Sequence, residues 1–300
     1  MFILNNIYKN IVLLLVISVF LSCTIKQKQD SAKSRIVSLA PNITEVLFAL
    51  DMGDQVVAVS DYCSYPEQAK EKESIGGLLN PNLEKITALA PDLIIGTESY
   101  RDIKDKLGQG SFNIVLLPEK TVNDVYVTID SVGHLTHTQK RAQKLINSIK
   151  DSLALYRANH AETRPNAILV LGRSENGTRN ISISSKGAFI NELWEYCGGQ
   201  NAFYDLGNSF AQVNREDLLS RDPELIVEFK SNKNWSLDLD KKNKREWLDL
   251  NISAVRNNSI YVINGNEYLT PGPRMFLLAK KYHEILSDFR GSKSGENPDR

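Results

Sequence analysis

The chain contains one stretch twice: Asn82-Leu-Glu-Lys-Ile-Thr-Ala-Leu-Ala-Pro-Asp-Leu-Ile-Ile95 aligns without a gap on Asn214-Arg-Glu-Asp-Leu-Leu-Ser-Arg-Asp-Pro-Glu-Leu-Ile-Val227. In each copy an Asn precedes a short helical pattern, a Glu stands in its first turn, and a Pro follows it. A run of apolar residues then predicts a buried strand. The two copies therefore predict two lobes that are built in the same way.

Strands and helices alternate on both sides of the first copy. Short β-branched runs at Arg35–Leu39 and Val56–Val59 predict strands, and Pro41 opens a helical pattern between them. Asn42 with Glu45 three residues later resembles a capping box. This alternation with short loops predicts an α/β fold with mostly parallel sheets that helices cover on both faces.

The strand pattern stops between the two copies. Two helical patterns fill residues 121–163, and the second begins at a capping-box pattern of Thr136 and Gln139. It predicts a helix of about 22 residues, which is about 33 Å long, ended by Arg164-Pro165. We therefore predict an N-terminal lobe at 35–120, a helical linker at 121–163, a C-terminal lobe at 164–290 and a disordered tail at 291–300.

The first residues predict a signal segment rather than a part of the fold. Lys9 precedes an apolar run at Ile11–Leu21, and Ser22 then precedes Cys23. A Cys directly after a small residue predicts a lipoprotein signal at 1–22, in which Cys23 is acylated and anchors the chain to a membrane. Residues 23–34 are polar and predict a tether. A plain secretory signal or an anchor helix is the alternative.

Composition and motifs exclude several classes of function. Lys and Arg number 36 and Asp and Glu number 36, so no basic excess indicates nucleic-acid binding. Three Cys without a CxxC spacing and four His predict no metal site. Gly172-x4-Gly177 has Thr178 where a P-loop needs Lys, and no nucleophile motif or dinucleotide fingerprint is complete. An α/β enzyme is therefore the weaker alternative, and no intrinsic cofactor is expected.

Four motifs give the chain a resemblance to a known family. They are Arg35-Ile-Val-Ser-Leu-Ala-Pro-Asn-Ile-Thr-Glu45, Asp61-Tyr-Cys-Ser-Tyr-Pro66, Gly76-Gly-Leu-Leu-Asn-Pro-Asn-Leu-Glu84 and Cys197-Gly-Gly-Gln-Asn201. Together they resemble the iron-siderophore/cobalamin periplasmic-binding family, above all its cobalamin-binding members. The resemblance implies the class III periplasmic-binding fold, in which one long backbone helix joins two Rossmann-like lobes.

The resemblance also implies a function. Members of this family are the substrate-binding subunits of ABC importers, and they deliver a small ligand to a permease with cytoplasmic ATPase subunits. For this chain it implies a monomer of the bacterial cell envelope, lipid-anchored on the periplasmic or extracellular face, which makes and breaks no bonds. The ligand implied is a corrinoid such as cobalamin, with haem or a ferric siderophore as the alternative.

Individual site residues follow from the same comparison. Tyr62 and Phe210 match aromatic positions that hold the flat corrin, and Leu78 stands where cobalamin-binding members carry Trp. Glu84 and Glu216 match the first-turn Glu of each lobe that docks on permease arginines. From the repeat alone, a first-turn Glu is already explained by its favourable charge at the helix N-terminus.

Two arginines favour an anionic ligand instead of a corrinoid. Arg101 and Arg173 each follow a predicted strand, and ligands of open α/β sheets bind beyond the carboxyl ends of the strands. Arginines there suit a ferric siderophore or haem propionates, and Tyr100 or Tyr268 could line the cleft or bind haem iron. An exposed loop arginine is the alternative for each.

Cysteine pairing is not expected. Some family members bridge the Cys that matches Cys197 to a Cys in the last helix, where this chain has His283. Cys197 is therefore expected to be a buried thiol, and a bridge to Cys63 would cross between the lobes.

Overall fold

The fold is described by a computed structural model that covers residues 34–107, 112–158, 164–174, 177 and 179–294. The predicted signal segment and Cys23 lie outside the described residues. Within the described ranges, no helix combines the length and the apolar character that crossing a membrane requires.

The N-terminal lobe is a five-stranded sheet with the strand order β3-β2-β1-β4-β5, and all of its strand pairs are parallel. Its elements are β1 (Ile36–Ser38), α1 (Pro41–Ala49), β2 (Val56–Val59), β3 (Glu73–Ser74), α2 (Leu83–Ala88), β4 (Leu93–Thr97), α3 (Arg101–Leu107) and β5 (Ile114–Leu117). The central strands β1 and β4 are buried along their whole length, because helices and loops cover both faces of a parallel sheet.

Two helices, α4 (Val122–Leu135) and α5 (Gln139–Ala154), connect the lobes. The predicted length of the backbone helix was wrong, since α5 has 16 residues and is about 24 Å long at 1.5 Å per residue. The predicted capping box at Thr136 is also wrong, because the Thr136 hydroxyl donates to the carbonyl of Val132 at 2.7 Å. A capping box is formed instead at the start of α4, by Thr121 and Asp124.

The C-terminal lobe is a second sheet with the order β11-β10-β6-β7-β9, and β8 also pairs with β6. Its elements are β6 (Asn166–Gly172), β7 (Ile181–Ser184), α6 (Phe189–Tyr196), β8 (Gln200–Asn201), β9 (Phe210–Val213), α7 (Arg215–Arg221), β10 (Leu225–Lys230), α8 (Leu237–Arg245), α9 (Ser253–Arg256), β11 (Ile260–Asn264) and α10 (Phe276–Ser294). The pairs of β7 with β6 and with β9 are antiparallel, and the other pairs are parallel. The prediction of two α/β lobes with mostly parallel sheets is therefore confirmed.

The sequence repeat is also a structural repeat. Asn82 caps α2 by accepting a hydrogen bond from the amide of Lys85 at 2.9 Å, and Asn214 caps α7 by accepting one from the amide of Asp217 at 2.9 Å. Helix α2 returns to β4, and α7 returns to β10 in the second sheet. Each copy therefore places its first-turn Glu near the carboxyl edge of its own sheet.

One apolar core connects the two sheets, and a second lies on the far face of the C-terminal sheet. Alternate residues of β6 divide between them, with Leu169 in the first and Val170 in the second, as the period of a strand requires. Helix α10 adds Tyr282 and Leu286 to the first core. This helix extends to Ser294, so the predicted disordered tail is wrong for residues 291–294; residues 295–300 lie outside the described part of the chain.

Candidate functional site

A cavity lies where the N-terminal lobe meets the segment between β11 and α10. Its volume is about 170 Å³. The residues that line it come from the first turns of α1, which directly follows β1, from the loop after β2 and from the segment 266–274; they are Pro41, Glu45, Tyr62, Ser64, Tyr65, Asn266, Leu269, Thr270 and Arg274. The cavity is therefore built at the carboxyl ends of strands, where open α/β sheets bind ligands.

Tyr62 forms an exposed aromatic wall of this cavity. Its side chain is 64% exposed, although an aromatic ring of this size is usually half-buried or more. A Cβ atom at Gly77 would lie 3.2 Å from Cε2 of Tyr62, so the ring rests against the backbone of this glycine. Gly77 thus gives one face of Tyr62 a close support and leaves the rest of the ring open to a ligand.

An ion pair between the buried Glu45 and the part-exposed Arg274 lines the cavity. The carboxylate of Glu45 accepts two hydrogen bonds from Arg274, at 2.6 Å from Nη2 and 3.0 Å from Nε. The Arg274 guanidinium also lies 3.8 Å from the centroid of the Tyr65 ring, in the geometry of a cation–π contact. Arg274 therefore connects α1 of the first lobe to the segment that follows the last strand of the second.

This pair corrects the predicted role of Glu45. Helix α1 begins after Ala40 without a side-chain cap, so Asn42 and Glu45 do not form a capping box. Burial raises the pKa of Glu45 above its ordinary value, and the hydrogen bonds and positive charge of Arg274 act to lower it. The pKa of Arg274 is raised, since Glu45 stabilises its charge against the cost of burial.

A small polar layer lies under the Tyr62 loop. The Cys63 thiol contacts the hydroxyls of Thr44, at 3.1 Å, and Ser60, at 3.2 Å. Tyr100 is buried near the same group, and burial raises its pKa to about 12. Tyr100 therefore does not line the cleft. The layer instead fixes the loop from which Tyr62 projects.

The two aromatic residues predicted on the C-terminal lobe, Phe210 and Tyr268, differ in their exposure to solvent. Phe210 begins β9 opposite Ser184 of β7 and is 53% exposed, so its ring is open to solvent. Tyr268 is half-buried in the helical turn Asn266–Tyr268 and packs against the apolar core that connects the two sheets. Its neighbours in the chain line the cavity, and burial raises the pKa of the Tyr268 hydroxyl.

The two arginines predicted for an anionic ligand are not equivalent in the structure. Arg101 begins α3, is exposed and has no ion-pair partner among the described residues. The side chain of Arg173 is only 2% exposed and pairs with Glu228 and Glu246. Because these carboxylates already satisfy its guanidinium, we assign Arg173 no ligand contact.

Glu84 and Glu216 occupy matching positions at the starts of α2 and α7. Each is the second residue after the capping Asn, and each side chain is exposed. In the described part of the chain, neither carboxylate is within ion-pair distance of a basic group. Both negative charges are therefore available to an outside partner.

The remaining residues that the sequence analysis discussed are Leu78, in the loop before α2, and two cysteines. Leu78 is exposed, and the adjacent Leu79, which the sequence interpretation did not select, is 96% exposed. Cys63 and Cys197 are free and buried. Burial raises the pKa of the Cys197 thiol to about 12, so it is an unreactive core group, as the substitution at His283 implied.

Sequence reasoning missed the residues that hold the cavity together. Tyr65 and Arg274 were not selected, although Glu45 was noted for another reason. Glu45 and Arg274 are 229 positions apart, and no local pattern connects them. The available signal was a charged residue, Glu45, within an otherwise apolar helical face, since a buried carboxylate requires a partner.

Comparisons with known proteins agree with this architecture. The family model described as "Periplasmic binding protein" matches residues 36–267. A vitamin B12-binding protein of Vibrio cholerae is 30% identical over 246 residues, which are 80% of this chain and 84% of that protein. A vitamin B12-binding protein of Pectobacterium carotovorum is 30% identical over 195 residues, 64% of this chain and 70% of its own length.

Solved structures give the same result. The periplasmic vitamin B12-binding protein BtuF of Vibrio cholerae has a TM-score of 0.71 at 29% identity, and the match covers 86% of this chain and 98% of that one. The periplasmic heme-binding protein RhuT of Roseiflexus sp. has a TM-score of 0.72 at 23% identity, covering 86% and 99%. The second likeness concerns the fold alone. With two α/β lobes, a cavity where they meet and a family match over most of its length, this chain belongs to the periplasmic binding protein family.

Proposed function

We propose that this protein captures a corrinoid in the cleft between its lobes and delivers it to an ABC permease. The observation that carries the proposal is the pair of exposed rings, Tyr62 on one lobe and Phe210 on the other. Relatives named as vitamin B12-binding proteins support the choice of ligand. A large flat ligand can contact both rings, because aromatic side chains offer a large contact area and have few bonds to immobilise.

Haem or a ferric siderophore is the second candidate, and the structure gives it less support. Of the two arginines that favoured an anionic ligand, Arg173 is occupied by internal carboxylates and only Arg101 is exposed. Burial also raises the pKa of Tyr268, which disfavours the phenolate that would bind haem iron. Arg101 remains the residue through which a ligand with propionate groups could bind.

Direct binding tests the ligand. Calorimetry and absorption spectra of the protein with cobalamin, haem and a ferric siderophore should show saturable binding of cobalamin. We expect Phe210→Ala to weaken cobalamin binding by about 1–3 kcal/mol, the scale of an aromatic interface anchor. Leu155→Ala is the matched control, because Leu155 is an exposed apolar residue at the end of α5. Binding of the siderophore or haem without binding of cobalamin would refute the corrinoid proposal.

We also propose that Glu84 and Glu216 contact basic groups of the permease. Their matching positions and unpaired charges support a partner with two equivalent subunits. Replacing both with Lys should leave cobalamin affinity unchanged, since neither residue lines the cavity, and should abolish uptake in cells. Like charges placed together at an interface cost several kcal/mol. Normal uptake by the double variant would return both residues to a role at the helix N-terminus.

Cys23 is proposed as the lipid anchor of the mature protein, with localisation on the cell envelope. The anchor is tested by mass spectrometry and detergent partitioning of the wild type and of Cys23→Ala. We expect the wild-type chain to carry lipid and enter the detergent phase, and the variant to lose both properties. An unchanged mass and unchanged partitioning would contradict the anchor.

A further inference from the structure

A second recess lies on the C-terminal lobe and shares no lining residue with the cavity described above. Its volume is about 680 Å³, within the range of small-molecule sites. It is formed at the carboxyl ends of β6 and β10 and by one side of α8. The residues used below are Arg173, Lys230, Lys233, Trp235, Lys242 and Glu246; we call this set the basic recess.

Arg173 is held in one position in the basic recess by hydrogen bonds. Its guanidinium donates to Glu228 from Nε at 2.9 Å, to Glu246 from Nη1 at 2.5 Å, and to the carbonyls of Gly177 and Asn243. Glu228, fully buried, also accepts from Lys230 at 2.7 Å and from the Trp247 indole at 2.8 Å. Arg173 and Lys230 are thus balanced in charge by Glu228 and Glu246.

The remaining charge in the basic recess is positive. Lys233 and Lys242 have no carboxylate within ion-pair distance among the residues that the structure describes. Lys230 uses one of its donors on Glu228, and an ammonium group has three. The loop that carries Lys233 is held in place, because Asn232 and Asn264 exchange hydrogen bonds at 2.8 and 3.0 Å. A fixed recess therefore presents the ammonium donors of Lys233 and Lys242, which pair with no carboxylate in the described ranges.

We propose that the basic recess binds an organic phosphate ester that carries a flat ring. Lysine ammonium groups bind phosphate as point charges. Trp235 lines the same recess and is only partly buried, and an indole is a suitable surface for a planar ring. The basic recess and the cavity at Tyr62 share no lining residue, and the proposal does not depend on the ligand of that cavity.

The test measures binding of ADP, pyrophosphate and adenosine to the full-length protein in detergent by calorimetry. We expect ADP to bind saturably and more weakly as salt rises, because exposed charges are screened. Lys233→Gln/Lys242→Gln should lower ADP affinity at least tenfold. Lys140→Gln/Lys280→Gln is the matched control, since both of these lysines are exposed on other helices, and it should bind ADP as the wild type does.

Trp235→Leu tests the ring separately. This variant should lose ADP affinity severalfold and leave pyrophosphate binding unchanged. Because all four lysines and Trp235 lie at or near the surface, far-UV circular dichroism and the unfolding midpoint should stay those of the wild type. The proposal is overturned by an ADP affinity that Lys233→Gln/Lys242→Gln does not change, or by adenosine or pyrophosphate binding as tightly as ADP.

Discussion

Arg173 and Arg274 each contact a buried glutamate, but the two pairs connect different parts of the molecule. Arg173 directly follows β6, its partner Glu228 lies in the adjacent strand β10 of the same sheet, and the two are 55 positions apart. Arg274 and Glu45 are 229 positions apart and join α1 of the first lobe to the segment before α10. The first pair fixes the interior of one lobe. The second fixes the wall of the cavity between the lobes, so it connects stability with binding.

The largest effect is expected from Arg173→Met. The variant leaves the fully buried Glu228 with Lys230 and the Trp247 indole as its only partners among those described. Removing one partner of a buried ion pair typically costs about 3–5 kcal/mol, because a charge is left uncompensated. Urea unfolding should show this loss as a lower midpoint with an unchanged slope.

Arg101→Met is the matched control for this prediction. It removes the same charge from an exposed position at the start of α3, where a substitution is expected to change the free energy of unfolding by less than about 0.5 kcal/mol. Equal losses in the two variants would show that the Glu228 network adds nothing specific to stability.

A smaller loss is expected from Arg274→Met. Glu45 then loses two charge-assisted hydrogen bonds, each of a kind whose net contribution is about 1.5–3 kcal/mol, but Arg274 is itself part-exposed and water can replace part of the contact. We expect a total loss of about 1.5–3 kcal/mol. Cobalamin affinity should fall as well, since Tyr65 loses its cation–π contact.

The control for Arg274 is Arg141→Met. Arg141 forms an exposed pair with Asp51 at 3.4 Å, and surface pairs contribute about 0–1 kcal/mol. If Arg274→Met binds cobalamin as the wild type does, the Glu45 pair is structural and plays no part in shaping the cleft.

The Arg173–Glu228 and Arg274–Glu45 pairs also show how far the sequence alone could predict the fold and the site. Asn82 and Asn214 predicted their helices correctly, because a cap acts through contacts within one turn. The antiparallel pairing of β7 and the Glu45–Arg274 contact depend on residues that are distant in the chain, and no local pattern encodes them. Arg173 was assigned to a ligand for the same reason: its position after a strand is visible in the sequence, whereas its partners Glu228 and Glu246 are not.

The pH dependence of stability isolates Glu45. Burial raises its pKa in the folded protein above the ordinary value of 4.5, so the folded state binds the proton more tightly than the unfolded chain. Its contribution to stability is fully present below pH 4.5 and is lost as pH rises through the folded pKa. The slope is at most about 1.4 kcal/mol per pH unit in that window.

The measurement compares wild type with Glu45→Gln from pH 4 upward by urea unfolding. The difference between the two proteins should change in favour of the variant as pH rises, because Gln has no proton to lose. Comparing the two proteins removes the opposite trends of Asp205, Asp222 and Glu224, whose pKa values are lowered. A difference that is independent of pH would mean that Glu45 titrates as it does in the unfolded chain.

The smallest effect is expected from Gly77→Ala. This variant tests whether the packing of Tyr62 on Gly77, in addition to the Glu45–Arg274 ion pair, fixes the wall of the cavity. The new Cβ atom would lie 3.2 Å from the Tyr62 ring, so the ring must move by a few tenths of an ångström. Tyr62 is exposed and can move without exposing any core residue, so the free energy of unfolding should change by less than about 0.5 kcal/mol. Cobalamin affinity, measured by calorimetry, should fall by about twofold to fivefold, which is below 1 kcal/mol.

Gly172→Ala is the control for this change, because a Cβ atom there meets nothing within 4 Å. Tyr62→Ala gives the upper limit of the effect, since it removes the ring. An unchanged affinity in Gly77→Ala together with a reduced affinity in Tyr62→Ala would show that the ring binds ligand without support from Gly77. If neither variant changes the affinity, Tyr62 is not a ligand contact, and Tyr65, whose ring contacts the Arg274 guanidinium, is the other tyrosine of this cavity that is left to contact the ligand.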